Sequence, residues 1–318
     1  MTDSTIGADI SKDHIDLHSL PDGRTLKVAN DRKGFVAIVR WIGAQGVERI
    51  VYEPTGAYHK AFERFMMVQG LPLSKVNPRL ARRFAEATGR LAKTDRIDAG
   101  LLARYGALLA PRLLQTSTQT HNDLKEFHVA RLALIKDRTA AKNRAKALSN
   151  LLLKRQNVDR LRQIERQMKA VDEAIMARIR TDVSLKVRFD ILVSIPGVSQ
   201  ITAFTLLIEM PELGELDEKA AAALCGLAPI NRQSGRWTGR AFIAGGRAIV
   251  RHALYMPAIV ACRFNPDLKT KYEDLVKAGK PPKVAITAVM RKLIVLANAL
   301  LRKNRKWAPK AARSKRIP

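Results

Sequence analysis

A chain of 318 residues with 47% apolar residues is too apolar to be disordered and long enough for two or more domains with cores of their own. Lys and Arg total 57 against 29 Asp and Glu, a formal net charge of +28. That excess strains a compact state by self-repulsion unless a polyanion answers it, so nucleic acid is the leading partner, with a membrane surface or a ribosomal role as the plainer alternatives.

No uninterrupted apolar run approaches the roughly 18 residues that a membrane helix requires. The amino-terminal MTDSTIGADISKD lacks the basic and apolar regions of a signal peptide. Cys225 and Cys262 are the only cysteines, and both sit in apolar, helix-like sequence. They read as free thiols of a cytoplasmic protein with no membrane partner.

In chain order, STIGADI (4–10) and HIDLHSL (14–20) alternate apolar and polar residues at the strand period. PDG (21–23) signals a turn, after which RTLKVAN (24–30) returns as a third strand. KGFVAIVRWIGAQG (33–46) has helical apolar spacing closed by glycine. VERIVYE (47–53) reads as a buried strand, AYHKAFERFMMVQG (57–70) as a helix and LPLSKVN (71–77) as another strand. A three-strand meander followed by helix, strand, helix, strand is the order of a ribonuclease-H-like α/β domain, here residues 1–115.

Residues 116–183 read as a coiled-coil helical hairpin, packing on itself or dimerising. Phe127, Leu134, Ala141 and Leu148 recur every seven residues, and Leu161, Ile164, Met168, Val171 and Ile175 follow a three-four spacing, with KRQNVDR (154–160) interrupting the two runs. The remainder, 184–318, reads as a mostly helical domain punctuated by glycine. ILVSIPGVSQITAFTLLIEM (191–210) sets two apolar helices around PGVS. It is either a plain helical corner or a helix–hairpin–helix-like element whose turn, at Gly197, offers N–H groups to a phosphate. A glycine-rich basic loop follows within 220–254, then a closing amphipathic helix over 283–303. The tail, 302–318, contains eight basic residues and no acid and reads as a flexible arm on nucleic acid, with Lys303 and Arg305 at its root.

In so basic a chain the carboxylates need reasons. Asp9 lies inside the first strand, where aspartate is depleted. Glu53 ends the buried fourth strand, a place where a charge commonly faces solvent. In a ribonuclease-H-like sheet these strands are adjacent and parallel, so both residues would point into one crevice. Asp95 and Asp98, in KTDRIDA, are three apart, within one helical turn at about 5–6 Å between Cβ atoms. Each alone is explained by the helix dipole or by a pairing with Arg96 or Arg104. Four converging carboxylates, however, call for a cation, and oxygen-only donors suit Mg²⁺ or Mn²⁺.

GADISKDHIDL, VYEPTGAYH, KTDRIDA and INRQSGRWTG together resemble the DEDD-type transposases of the insertion sequence 110 family, relatives of Piv-type DNA invertases. The resemblance spans nearly the whole chain and implies a RuvC-like (ribonuclease-H-like) domain, a coiled coil and a carboxyl-terminal transposase domain. It places the family's acidic tetrad on Asp9, Glu53, Asp95 and Asp98, holding Mg²⁺ or Mn²⁺, and a catalytic serine on Ser234. It implies a bacterial, nucleoid-associated recombinase that cuts and rejoins target and donor DNA through a phosphoserine link, guided by a bridge RNA. The active form would be a homo-oligomer, a dimer or a tetramer. Around Ser234, Arg232, Arg236 and Arg240 would contact phosphates, with Gly235 letting a phosphate approach the backbone. Trp237 either stacks on a base or packs. The alternatives are a RuvC-like Holliday-junction nuclease that hydrolyses DNA with water, leaving Ser234 a turn residue, and a non-catalytic nucleic-acid-binding protein. The six histidines show no zinc-like spacing with the cysteines.

Overall fold

A computed structural model describes residues 4–43, 46–89, 95–114, 118–235 and 237–309, with the side chains of 95–97 and 237–238 also outside the description. The chain divides into two compact units, Met1–Ser117 and Thr118–Pro318.

The first unit is built on a five-stranded mixed sheet. Strands β1 (Thr5–Ile10), β2 (His14–Leu20) and β3 (Thr25–Ala29) form an antiparallel meander. Strands β4 (Arg49–Tyr52) and β5 (Leu73–Lys75) add in parallel on the other side of β1, giving the order β3-β2-β1-β4-β5. One face carries Ile6, Ala8, Ile10, Ile15, Leu17, Ile50 and Tyr52. Against it pack α1 (Arg32–Ile42), through Phe35 and Ile38, and α2 (His59–Val68), through Phe62 and Met66. Helix α1 is set by its ends: the Asp31 carboxylate accepts from the Gly34 N–H, and Gly43 at φ 65° closes it.

The opposite face is covered by α4 (Asp95–Leu109), joined by α3 (Pro78–Ala87). Helix α3 was not anticipated, although Asn77 caps it and Pro78 stands at its first turn. Helix α4 lies directly on backbone. A Cβ at Gly7 would sit 1.9 Å from the Ala99 carbonyl oxygen and 2.4 Å from the Ala103 nitrogen. Farther along α4, a Cβ at Gly106 would meet Val51 and Thr5 side chains at 2.5 and 2.6 Å. Arg49 donates to the Gly106 carbonyl oxygen at 3.3 Å.

In the second unit, α5 (Gln119–Ala145) and α6 (Leu151–Thr181) form an antiparallel hairpin, with Asp123 against Arg178, Arg131 against Asp172, and Ala141 packed with Ile164 and Met168. The break falls at 146–150, not at the expected 154–160. Asn150 caps α6 by accepting from Leu152 and Leu153, and the polar 154–160 stretch continues as helix. Asn157 turns inward there and donates to the Ala141 carbonyl at 3.1 Å.

The hairpin base joins a core shared by α7 (Val183–Val193), α8 (Gln200–Glu209), α10 (Ala248–Phe264) and α12 (Pro282–Arg302). Helices α9 (Glu218–Leu224) and α11 (Pro266–Lys277) complete the unit. Helix α12 is long and apolar enough to cross a membrane by length and composition alone, but Val289, Leu293, Ile294 and Ala297 are buried in this core. The expected flexible tail is corrected in its first part. The Trp307 N–H donates to Ser194 Oγ at 2.8 Å and its ring packs on the core, which holds the chain through this point; residues 310–318 lie outside the described residues.

Because the α4 contact at Gly7 leaves no room for a methyl group, Gly7→Ala should lower the unfolding free energy by about 3 kcal/mol. Gly100→Ala, where the nearest atoms stand at 3.7 Å, should be neutral or stabilising by up to about 1 kcal/mol. Urea melts of the two variants make the comparison.

Candidate active site

On β1, Thr5, Gly7 and Asp9 point to one face and Ile6, Ala8 and Ile10 to the other. Gly7 and Thr5 are the residues that α4 touches, so Asp9 lies on the α4 face, where it is half-buried. On β4, Val51 meets α4, and Glu53, two residues on and one past the end of β4, is half-buried. The parallel register pairs Gly7 with Val51 and Ala8 with Tyr52 and ends there, so Asp9 and Glu53 each directly follow the last paired residue of adjacent strands, at the same end of the sheet.

Helix α4 runs antiparallel to β1, since Ala99 and Ala103 lie over Gly7 whereas Gly106 lies over Thr5. Its first turn, carrying Asp95 and Asp98, therefore approaches the end of β1 that bears Asp9. Asp98 is half-buried; the side chain of Asp95 lies outside the described residues. Backbone geometry thus brings Asp9 and the first turn of α4, with Asp98, to one end of one sheet face, and Glu53 stands just past the neighbouring strand at that end. Among the described residues no group of three or more His, Cys, Asp or Glu side chains closes tightly enough to hold a metal ion. The donor set is nevertheless carboxylate oxygen, the chemistry that hard divalent cations prefer.

Beneath Glu53, on the opposite face, the Tyr52 hydroxyl donates to Glu63, which also pairs with Lys75 at 2.6 Å. Burial raises the Tyr52 phenol well above its usual range, and the Glu63 carboxylate adds to the shift, so this hydroxyl is a fixed donor. Its bond ties the end of β4, and so the start of the Glu53 turn, to α2 and β5.

Ser234 belongs to the second unit. It ends β6 (Gln233–Ser234), which pairs with β7 (Trp237–Thr238) across a tight turn, with Gly235 at φ 54°. The expected glycine-rich loop is thus a small hairpin, extended by a bridge between Ile230 and Phe242. Ser234 is exposed, as are Arg232 and Arg240, and the Arg232 guanidinium lies 4.8 Å from the Phe242 ring centroid. Arg236 and the Trp237 side chain lie outside the described residues.

Two family models match the chain: an IS110-type DEDD transposase model over residues 6–155 and the transposase model of the IS116/IS110/IS902 family over 189–273. The chain is 30% identical to the pilin gene-inverting protein of Moraxella lacunata, over 96% of this chain and 98% of that protein. It matches the pilin gene-inverting protein of Moraxella bovis to the same extent. The chain belongs to the IS110 family of transposases. The uncharacterized 42 kDa protein of insertion element IS900 from Mycobacterium paratuberculosis is 27% identical over 71% of this chain and 62% of its own length. Membership makes the protein a DNA transposase or recombinase, with the ribonuclease-H-like fold and divalent-metal dependence of a DEDD-type domain.

Of the transposase's other residues, Gly197, Lys303 and Arg305 are candidates by sequence, whereas Asp16 and His18 are not. Gly197 has φ 97°, and a Cβ there would meet the Pro257 carbonyl oxygen at 2.7 Å, so close packing on α10 explains its glycine. Lys303 and Arg305 are exposed just past α12. Asp16 and His18, read only as strand residues, share the α4 face. Asp16 pairs with Asp9 across the β1–β2 ladder, and Gly100 of α4 backs onto the His18 ring. The alternation of HIDLHSL contained this placement, but only the register shows which residue stands beside Asp9.

The stem of the serine loop is fixed by buried charge. Arg247 donates to the Glu209 carbonyl at 2.6 Å and pairs with Glu212 at 2.6 Å, while its own N–H donates to Leu224. Arg251 donates to the Gly245 carbonyl at 2.7 Å. The Glu209 carboxylate in turn receives Lys125 at 2.6 Å and His128 at 2.8 Å from α5. Burial pushes the Glu209 carboxyl up, but the His128 and Lys125 hydrogen bonds outweigh it and hold the group down at about 2.

A folded value below the ordinary 4.5 stabilises the fold above that pH, and the contribution is lost as pH falls toward 2. Glu209→Gln should therefore cost about 3 kcal/mol at pH 7. The gap between the variant and the wild type should narrow as melts are repeated down to pH 3.

Proposed function

We propose that the transposase cuts and rejoins DNA with Ser234 as nucleophile and with Asp9, Glu53, Asp95 and Asp98 as the holders of Mg²⁺ or Mn²⁺. The observation that carries this reading is the register. Asp9 and Glu53 each follow the last paired residues of two adjacent parallel strands, at the sheet end toward which α4 carries its first turn, within a chain of DEDD type. Bound there, a divalent cation would neutralise the carboxylates and stabilise charge on the oxygens of the reacting phosphodiester.

In the proposed step, Ser234 Oγ attacks a DNA phosphorus. The Oγ–P bond forms as one ester P–O bond breaks, and the freed DNA oxygen takes up a proton. Residues 225–247 contain no carboxylate, so the acceptor for the serine proton must come from elsewhere. The proposal assigns it to the acidic set of the same chain or of a second copy in a dimer or tetramer. The phosphoserine ester conserves the phosphodiester energy, so rejoining is the same exchange reversed. The names of the pilin gene-inverting relatives support DNA inversion as a neighbouring reaction class.

The excess of 57 basic over 29 acidic residues supports backbone-directed binding of both DNA and a bridge RNA that chooses sequence. The reading keeps three functional parts, 1–115, 116–183 and 184–318. The α5–α6 hairpin acts as the coiled coil, the α7–α8 corner as a helix–hairpin–helix-like element around Gly197, and Arg232, Arg236, Arg240, Lys303 and Arg305 as phosphate contacts.

Incubation with nicked or junction DNA and Mg²⁺, followed by a denaturing gel, tests the chemistry. The wild type should give a covalent protein–DNA band and Ser234→Ala none; an adduct from Ser234→Ala removes the serine from the mechanism. Cleavage with free 5′-phosphates and no adduct would instead establish the hydrolytic junction nuclease.

Asp9→Asn should reduce cleavage by at least about a hundredfold while leaving the melting curve intact. Full cleavage by that variant would remove the acidic set from the chemistry, and no metal-dependent cleavage by the wild type would leave a binding protein.

A further inference from the structure

At the level of Asp9, a row of charge crosses the sheet. Lys27 on β3 pairs with Asp16 on β2, Asp16 pairs with Asp9 on β1, and Glu53 follows just beyond β4. Directly paired residues project to the same face, and like charges placed so are destabilising without a counter-charge. Lys27 Nζ stands 3.5 Å from the Asp16 carboxylate. The Asp16 side chain is 17% exposed and that of Lys27 57%, so the row is dry at Asp16 and wet at its rim.

Helix α4 adds direction. Gly100 backs onto His18 of β2, whereas Gly106 lies over Thr5 and Val51 of β1 and β4. The helix therefore crosses the sheet obliquely, and its first turn, with Asp95 and Asp98, arrives on the β2 side of β1. That is the side on which Asp16 stands.

We propose that Asp16 is a positioning residue for the divalent cation. Tethered by Lys27, it adds negative potential beside Asp9 without serving as a ligand. This rests on the reading that Asp9, Glu53, Asp95 and Asp98 hold the cation. The charge argument fixes opposite signs for the two partners of the pair: loss of the Asp16 charge weakens cation binding, and loss of the Lys27 charge strengthens it. A purely structural ion pair predicts a common direction instead, since either substitution breaks the same contact.

Calorimetric titration of MnCl₂ into the full-length protein without DNA reads this directly. Asp16→Asn should raise the Mn²⁺ dissociation constant about threefold to tenfold, and Lys27→Met should lower it about twofold, as expected for charges one and two strands from Asp9, about 5 and 10 Å, in a partly screened site. Any other combination, including an unchanged constant for either variant, overturns the proposal. Should Asp16→Asn fail to fold, Lys27→Met at its exposed position decides alone: tighter binding upholds the proposal, and unchanged or weaker binding overturns it. Asp9→Asn is titrated in parallel. If it binds Mn²⁺ as the wild type does, the assignment of the metal site itself fails. If it loses Mn²⁺ while the Asp16 and Lys27 variants do not diverge, only the role of Asp16 fails.

Discussion

The first unit depends on one contact: helix α4 resting on the bare backbone of β1 at Gly7. Most helix–sheet packing is mediated by side chains, which leave the helix some freedom to shift. Here the Ala99 carbonyl and the Ala103 nitrogen already occupy the place a methyl group would take. The helix height is thereby set by peptide atoms, and Gly106 and Arg49 fix its far end against β4 and β1. The three described acids inherit that rigidity. Asp9 is placed by strand alternation, Glu53 directly follows the last paired residue of β4, and Asp98 rides on the helix that Gly7 admits. Sites mounted on regular elements hold their geometry better than sites on loops.

The serine loop is mounted differently. Its outer part pairs two-residue strands, with Gln233, Ser234 and Gly235 exposed. Its stem is held by Arg247 against the Glu212 carboxylate and the Glu209 backbone carbonyl, and the Glu209 carboxylate reaches through Lys125 and His128 to the helical hairpin. Farther along α5, Arg131 pairs with Asp172 at 2.5 Å and lies over the Phe204 ring of α8. Buried charges of this kind are weak contributors to net stability, because desolvation offsets most of their attraction. Their directionality fixes which face of α5 meets α8, and through Arg247 that choice carries to the root of the serine hairpin. A stiff stem with an exposed tip suits the nucleophile proposed for Ser234, which would have to reach a bulky polyanion.

The strand order of the first unit was legible because HIDLHSL, RTLKVAN and VERIVYE alternate or run apolar cleanly, and turn residues separate them. Helix α3 escaped because PRLARRFAEA offers only Ala81 to the core and otherwise reads as polar chain. The hairpin break was misplaced for the converse reason. KRQNVDR looks like a loop by polarity, yet polar residues suit an exposed helix face, and Asn150 supplied the cap that marks the true start. At the sheet end, the adjacency of the first and fourth strands, which carry Asp9 and lead into Glu53, was readable from strand order alone. Asp16 was not: alternation says which residues share a face, and only the antiparallel pairing says which of them stands next to Asp9.

The global and local charges of this chain pull against each other, and the row of acids is best understood through that conflict. A net charge of +28 draws in phosphate backbones, and the same field repels a divalent cation. Screening decides the contest. At physiological ionic strength the Debye length is about 8 Å, so basic residues scattered over the surface act weakly at the sheet end, while carboxylates about 5 Å from one another act strongly. A site that must capture a cation within a basic protein therefore needs its negative charge concentrated within roughly that radius. Adjacent strand positions achieve this at little geometric cost, because the ladder itself sets the spacing. Lys27 at the rim then limits the mutual repulsion of the row when no cation is bound, and being exposed it does so without cancelling the potential at Asp9.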